Sequence, residues 1–350
     1  AINHAGSLGM PYIRTGTNGF MFRNSTGSIE KVKSLAERLG GTPLRNFWIS
    51  IDSAIPEVHE HNRGLHGVMK GIEKAMPVLN ECGIYPAANL GINRSVGGTA
   101  TSDLSVGPPH NSGETDFSRN YERAFRRFYD RVIDMGFTMV NTCYPMSLDG
   151  SETADIDAVY AAASDERLVS FSETEKGLLF ASLMKVIPVY RPRIRIFTPL
   201  SSLYALKKRY LEGGTGAYAC RGGIDFFFVE AAEADTYPCG YRGGDNLGKF
   251  WDLDVKAINT HPWCKQCDWE CFRDPSELFG PVSDLVRRPF RIMGRFVHEP
   301  EFRRLWVGDL RYYRACGMFN GRRPPDMRRM KSLFKKPDKT RPAFSEILQR

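Results

Sequence analysis

Two hydrophobic rhythms alternate along the first part of the chain. Short apolar runs bounded by turn residues give way to longer stretches in which apolar positions return every three or four residues. The first pattern predicts buried strands and the second amphipathic helices. Pro11 to Arg14 opens the series as a short strand, followed by the turn-like Thr15-Gly16-Thr17-Asn18-Gly19. Ile29 to Leu39 has helical spacing and stops at Gly40-Gly41, a helix-ending signal. Phe47 to Asp52 is too short for a helix and reads as a buried strand; Val68 to Leu79 is the next helix, and Ile84 to Ile92 the next strand, ending at Asn93-Arg94. Residues 95–117 are rich in Gly, Ser, Thr and Pro and predict a long loop. A helix over 118–135 and a strand over Phe137–Cys143 complete the pattern.

Repeated strand-then-helix units predict parallel strands joined by right-handed crossovers, hence an α/β barrel or a doubly wound sheet. In either case ligands belong at the C-terminal ends of the strands. Thr17, Asn18, Ser50, Asp52, Arg94 and Asn141 all fall there. Helices are predicted over 153–164, 173–186 and 201–212, and Gly213-Gly214-Thr215-Gly216 breaks the pattern. Ile224 to Val229 reads as a strand, and beyond about residue 281 the chain is mixed helix and loop. The expected division is residues 1–212, 213–285 and 286–350.

Charge and composition narrow this picture. The formal net charge is +8, with much of it near the C-terminus in Arg322, Arg323, Arg328, Arg329, Lys331, Lys335, Lys336, Lys339 and Arg341. That tail lacks the interleaved aromatics of a single-strand-binding surface, so a solvated tail is expected rather than nucleic-acid binding. No run of apolar residues is long enough to span a membrane and no signal peptide opens the chain, so a cytoplasmic protein without a membrane partner is expected. The chain opens at Ala1 with little ahead of the first strand, which reads as an N-terminal truncation.

Eight cysteines in 350 residues do not make a small disulfide scaffold. Five of them, Cys220, Cys239, Cys264, Cys267 and Cys271, fall within residues 220–271, and without a secretory signal metal binding is favoured over disulfides. A C-x-x-C turn lets Cys264 and Cys267 converge on one centre. Cys239 follows Tyr237-Pro238 and Cys220 precedes Arg221-Gly222-Gly223, so both can complete a four-thiolate site, with Cys271 the favoured spare. Zinc and iron–sulfur both take four cysteines, and ligand type alone does not separate them. Cys82, Cys143 and Cys316 stand alone and read as buried thiols. His59, His61 and His66 lack the i, i+4 spacing of a helical metal pair and read as helix start or loop. No phosphate-binding loop, G-x-S-x-G or H-E-x-x-H anchors a nucleotide-binding or hydrolase reading.

Thr17-Asn18-Gly19, Trp48-Ile49-Ser50-Ile51-Asp52-Ser53, His59 with Arg63-Gly64, and Cys82-Gly83-Ile84 leading to Asn93-Arg94 together resemble the middle of a radical S-adenosylmethionine (SAM) enzyme. The spacing of Cys220, Cys239, Cys264 and Cys267 is similar to the C-terminal SPASM/twitch extension of that family in its single-cluster form. The resemblance implies a partial (β/α)6 barrel lacking its first unit or units, plus a small cysteine-rich α+β domain holding one auxiliary [4Fe–4S] cluster. It implies that Ser50, Asp52 and Arg94 contact the ribose or methionine end of SAM, with Thr17 and Asn18 lining the same mouth. It also implies a peptide or small-molecule substrate and a reductant such as flavodoxin or ferredoxin. The family's C-x-x-x-C-x-x-C motif, which binds the SAM-reducing [4Fe–4S] cluster, is not in these residues, and neither is its Gly-Gly-Glu segment. The full-length parent is therefore expected to supply both and to generate a 5′-deoxyadenosyl radical, whereas this chain alone is expected to be inactive. The alternative is a non-catalytic binding or scaffold protein with a structural four-cysteine zinc site.

Overall fold

The computed structural model describes residues 1–23, 29–106, 114–145, 167–213, 218–254, 256–258 and 262–334. In chain order these form α1 (Ile2–Ser7), β1 (Ile13–Thr17), α2 (Ile29–Gly40), β2 (Leu44–Ser50), α3 (Pro56–Arg63), α4 (Val68–Glu81), β3 (Ala87–Gly91), α5 (Thr99–Ser102), α6 (Glu114–Asp134) and β4 (Met139–Cys143). There follow α7 (Glu173–Tyr190), β5 (Arg195–Ile196), α8 (Leu200–Glu212), β6 (Phe228–Val229), β7 (Thr236–Tyr237), α9 (Glu270–Arg287), α10 (Pro289–His298), α11 (Pro300–Ala315) and α12 (Met327–Ser332).

Strands β1 to β5 form one sheet in sequential order, each parallel to the next, while β6 and β7 pair antiparallel. The order never reverses, so the sheet has no switch point of the doubly wound kind. Side chains alternate across it. Phe47, Ile49, Ala88, Leu90, Val140 and Ile196 enter the largest core with the helices wound on that side. Helix α6 contributes Phe117, Tyr121, Phe125, Phe128 and Val132, a three-and-four spacing that buries a single stripe. Helix α7 starts with a capping box in which Ser172 and Glu175 satisfy each other's backbone N–H.

The opposite face of the sheet carries Trp48, Ala87 and Met139, covered by Tyr312, Cys316 and Phe319 of α11 and the turn after it, and by Met330 of α12. Gly16 lies under the Trp48 ring so closely that a Cβ there would collide with it. The C-terminal helices thus belong to the sheet body, and Asp309 anchors them. It is fully buried and accepts hydrogen bonds from Arg191 Nη2 (2.6 Å), the Leu200 N–H (3.1 Å), and the Ser201 N–H and Oγ (both 2.8 Å). A carboxylate from α11 therefore caps the N-terminus of α8. At the N-terminal ends of the strands, the turn after α11 is stitched on by Gly321 N–H to Arg45 O (2.7 Å), Tyr85 N–H to Gly321 O (2.8 Å) and Arg195 Nη1 to Asn320 O (2.9 Å).

Several details differ from the sequence expectations. The strand expected over 224–229 is only Phe228–Val229, and α9 runs across the boundary expected at 285/286. The His59 region, expected as helix start or loop, is the full helix α3, with Pro56 in its first turn and Gly64 ending it in left-handed conformation. The helix expected over 153–164 and the basic residues from Lys335 onward lie outside the described residues. No described helix is long and apolar enough to cross a membrane.

Candidate metal centre and sheet mouth

Cys220, Cys239, Cys264 and Cys267 come together in one small cluster with Phe226, Tyr241, Trp269 and Phe272. Two pieces of chain meet there, joined by the Cys220 N–H donating to Cys264 O at 2.7 Å. The backbone N–H of Gly222 points at the Cys220 sulfur (3.4 Å), that of Tyr241 at Cys239, and that of Trp269 at Cys267. In each case the donor lies two residues beyond the cysteine, so three tight turns aim N–H dipoles at three sulfurs. Such dipoles favour the thiolate, the form that binds metal. Burial works the other way. It pushes Cys220 up, Cys239 up to about 11 and Cys267 up to about 12, against the nearby guanidinium of Arg273, which pulls Cys220 and Cys267 down. Among the described residues no group of three or more His, Cys, Asp or Glu is arranged to hold a metal.

Cys271 has different neighbours. It lies in the first turn of α9, exposed as a residue but with its sulfur tucked against the buried Glu270, 3.6 Å from Oε1. Glu270 is buried and also meets Cys143 at the end of β4, so one carboxyl sits between two thiols. Burial pushes all three groups up, and the nearness of Glu270 raises both thiols further. This cluster faces a polar layer of the sheet. Registry aligns Ser50 with Asn89 and Asn89 with Asn141, and Gly91 with Cys143. Asn141 Nδ2 donates to Asn89 Oδ1 at 2.8 Å, and Asn89 Nδ2 to Cys143 Sγ at 3.3 Å. Arg14 stacks over Trp48 and Phe197 on the same side and pulls the Cys271 thiol down. Asp274, one turn along α9, accepts from Tyr144 Oη (3.0 Å) and Ser202 Oγ (2.6 Å), and burial pushes its carboxyl well up. The mouth therefore collects four acidic groups that burial biases towards their protonated forms.

The positions expected to contact SAM are placed differently from one another. Ser50 is half-buried in the polar layer of the sheet. Asp52 instead forms a two-pronged ion pair with Arg63 (Oδ1 to Nη2, 2.6 Å), while its N–H donates to His59 Nδ1 at 3.1 Å. Arg94 is engaged on all three nitrogens, by Ser170 O (2.8 Å), Leu104 O (2.7 Å) and Glu175 Oε2 (2.7 Å), with its plane over Phe171. Thr17 Oγ1 accepts from the Gly19 N–H (3.0 Å) and Asn18 Oδ1 from the Phe20 N–H (3.1 Å), which is turn chemistry. Glu270, Asp274 and Asn89 are not among the residues that the sequence singles out. Asn89 was reachable, because period-two alternation back from Gly91 puts it on the Ser50 face; Glu270 and Asp274 had no such signal, since α9 docks on the sheet through tertiary contacts.

No protein-family model matches this chain, and no curated protein matches it.

Proposed function

We propose that the chain is the body of a radical SAM enzyme whose auxiliary [4Fe–4S] cluster is ligated by Cys220, Cys239, Cys264 and Cys267, acting on a peptide or small-molecule substrate. The observation that carries the reading is the cysteine cluster with three backbone N–H groups aimed at its sulfurs. Hydrogen bonds of this kind stabilise thiolates and tune the potential of iron–sulfur centres. When bound, the cluster supplies one-electron redox chemistry or an anchor for substrate. The singly wound parallel sheet agrees with an incomplete (β/α) barrel. Within it, Ser50, Asn89 and Asn141 offer hydroxyl and amide groups suited to ribose hydroxyls, a better fit than Asp52 and Arg94, which are already engaged inside the protein. Glu270 and the Cys143 and Cys271 thiols gather at the mouth, each pushed up by burial. SAM, its own [4Fe–4S] cluster and a reductant such as flavodoxin or ferredoxin complete the reading.

A structural zinc site on the same four cysteines is the rival, favoured by the small size of the cysteine cluster, whose buried members are only Cys220, Cys239, Tyr241 and Phe272. Iron, sulfide and zinc content after anaerobic reconstitution separates the two, measured on the native chain and on Cys264→Ala/Cys267→Ala. About four irons per chain, lost in the variant, supports the iron–sulfur assignment. One tight zinc and no iron overturns it.

A further inference from the structure

At the junction of α9 and α10, on the side of α9 that carries Ser276 and Gly280, lies a cavity of about 250 Å3. Its walls bring together Arg221, Arg287, Arg288 and Arg291 against a single carboxylate, Asp284. Arg221 is paired with Asp225, and Arg291 reaches Asp284 only at 3.5 Å. The side chains of Arg287 and Arg288 have no partner among the described residues. Local helix physics accounts for part of this. Arg287 lies in the last turn of α9, where the helix dipole favours a cation. It does not account for Arg291, which lies at the start of α10, a first turn with no acidic residue and a dipole that opposes positive charge. Several guanidinium groups converging on one cavity repel one another unless an anion joins them.

A second observation concerns Tyr218, which lines the same cavity. The Tyr218 hydroxyl is buried without a well-aligned hydrogen bond, with the Arg295 guanidinium beside it, a costly position for a polar group taken out of water. Its ring is held in place by Gly280, where any Cβ would collide with it, and by Arg295 stacked over its face. Tyr218 is thus an ordered polar group in a cavity whose charged walls are four guanidinium groups and the Asp284 carboxylate.

We propose that this cavity binds a small multivalent oxyanion, a phosphorylated or polycarboxylate compound gripped by Arg287, Arg288 and Arg291 and hydrogen-bonded by Tyr218. Guanidinium groups pair with phosphate or carboxylate through two parallel N–H bonds. The cavity is smaller than the pockets of drug-sized ligands, which start at about 300 Å3, so the compound is compact. The site shares no residue with the four cysteines and does not depend on what metal they hold.

The test is calorimetric titration of the full chain with sodium pyrophosphate and, separately, with citrate, at constant ionic strength and both before and after metal reconstitution. Saturable one-to-one binding of either probe is expected in both states; pyrophosphate alone identifies a phosphoryl ligand and citrate alone a polycarboxylate. Arg287→Ala/Arg288→Ala, which removes two exposed and unpaired side chains, should weaken binding by about tenfold or more. Tyr218→Phe should weaken it by several-fold with little change in melting temperature, since the hydroxyl has no well-aligned bond in the free protein. Arg328→Ala/Arg329→Ala, on the exposed side of α12, should leave it unchanged. Absence of binding by both probes at millimolar concentration overturns the proposal, as does an equal loss from the two arginine pairs, which would mark diffuse charge attraction.

Discussion

The sheet body and the cysteine segment are held together by different means. In the body, apolar side chains from every strand and from the helices wound on the sheet join one continuous core that runs from Phe22 to Leu305. Among the described residues from Tyr218 to Asp268, regular structure amounts to the two-residue strands β6 and β7, and large aromatics stay outside, with Phe250, Trp251 and Trp263 each more than half exposed. Hydrophobic burial scales with area removed from water, so the first region can stabilise itself and the second cannot. Short segments with thin cores usually need a metal or disulfides to hold one conformation. All eight cysteines are free thiols, and under the function proposed above ligation at Cys220, Cys239, Cys264 and Cys267 would be the staple.

The sharpest way to break the comparison is to remove that staple. Cys264→Ser/Cys267→Ser should abolish metal retention and open residues 218–268 to limited proteolysis while the sheet body stays intact, because ligation of this kind is worth about 10 kcal/mol to a segment that folds around it. Mass spectrometry of the cleavage fragments would check it; cuts spread evenly across the sheet would merge the two regions into one. Next in size, Asp309→Ala should lower the unfolding free energy of the body by about 3–5 kcal/mol, measured by denaturant titration, since it strands the buried Arg191 guanidinium and uncaps α8.

The seam by which the cysteine segment meets α9 should also differ from the sheet body in the sign of its pH dependence. In α9, burial pushes the Glu277 carboxyl up to about 7, above its ordinary value of 4.5, despite the pull of Arg295 and Arg273. The folded protein holds that proton more tightly than the unfolded chain, so this contribution is greatest below pH 4.5 and falls by roughly 3 kcal/mol as pH rises through 7. Glu277→Gln, which can still accept the Tyr218 N–H, should flatten melting temperature between pH 5 and 7. In the sheet body, burial pushes Asp52 up, but His59 and Arg63 outweigh it and hold the carboxyl low. Asp52 therefore stabilises at neutral pH and its contribution is lost on acidification. Smallest of the set, Ser172→Ala should cost about 1 kcal/mol by removing one half of the α7 capping box, visible as a modest fall in melting temperature.

The parts readable from sequence were those governed by local pattern. Strand β2, helix α4 and helix α8 stand within a few residues of their expected bounds because alternation, three-and-four spacing and glycine stops are local properties. Four of the five clustered cysteines converge, which spacing in the 220–267 stretch already implied. Less readable was what each polar residue at a strand end would bond to. Asp52 and Arg94 sit where ligand contacts were expected, yet Arg63, four residues beyond His59, and Glu175, on a distant helix, engage them. Partner choice of that sort is settled by helix docking, as is the approach of Glu270 and Cys271 to Cys143. Cys143 read as an isolated thiol because its acidic company, Glu270 and Cys271, arrives from more than a hundred positions away.

The turn after α11 that stitches the N-terminal ends of the strands has a consequence for how the molecule is made. Its bonds to Arg45 and Tyr85 join residues more than two hundred positions apart, and Tyr12 Oη reaches Phe319 O across 307. On a ribosome, β1 to β4 and their helices emerge long before their closing segment does. Contacts of such long range slow folding and leave partly assembled intermediates exposed. The nascent sheet must therefore wait with Trp48, Ala87 and Met139 uncovered until α11 and its turn appear, and that interval is when the chain is most open to aggregation and to chaperone capture.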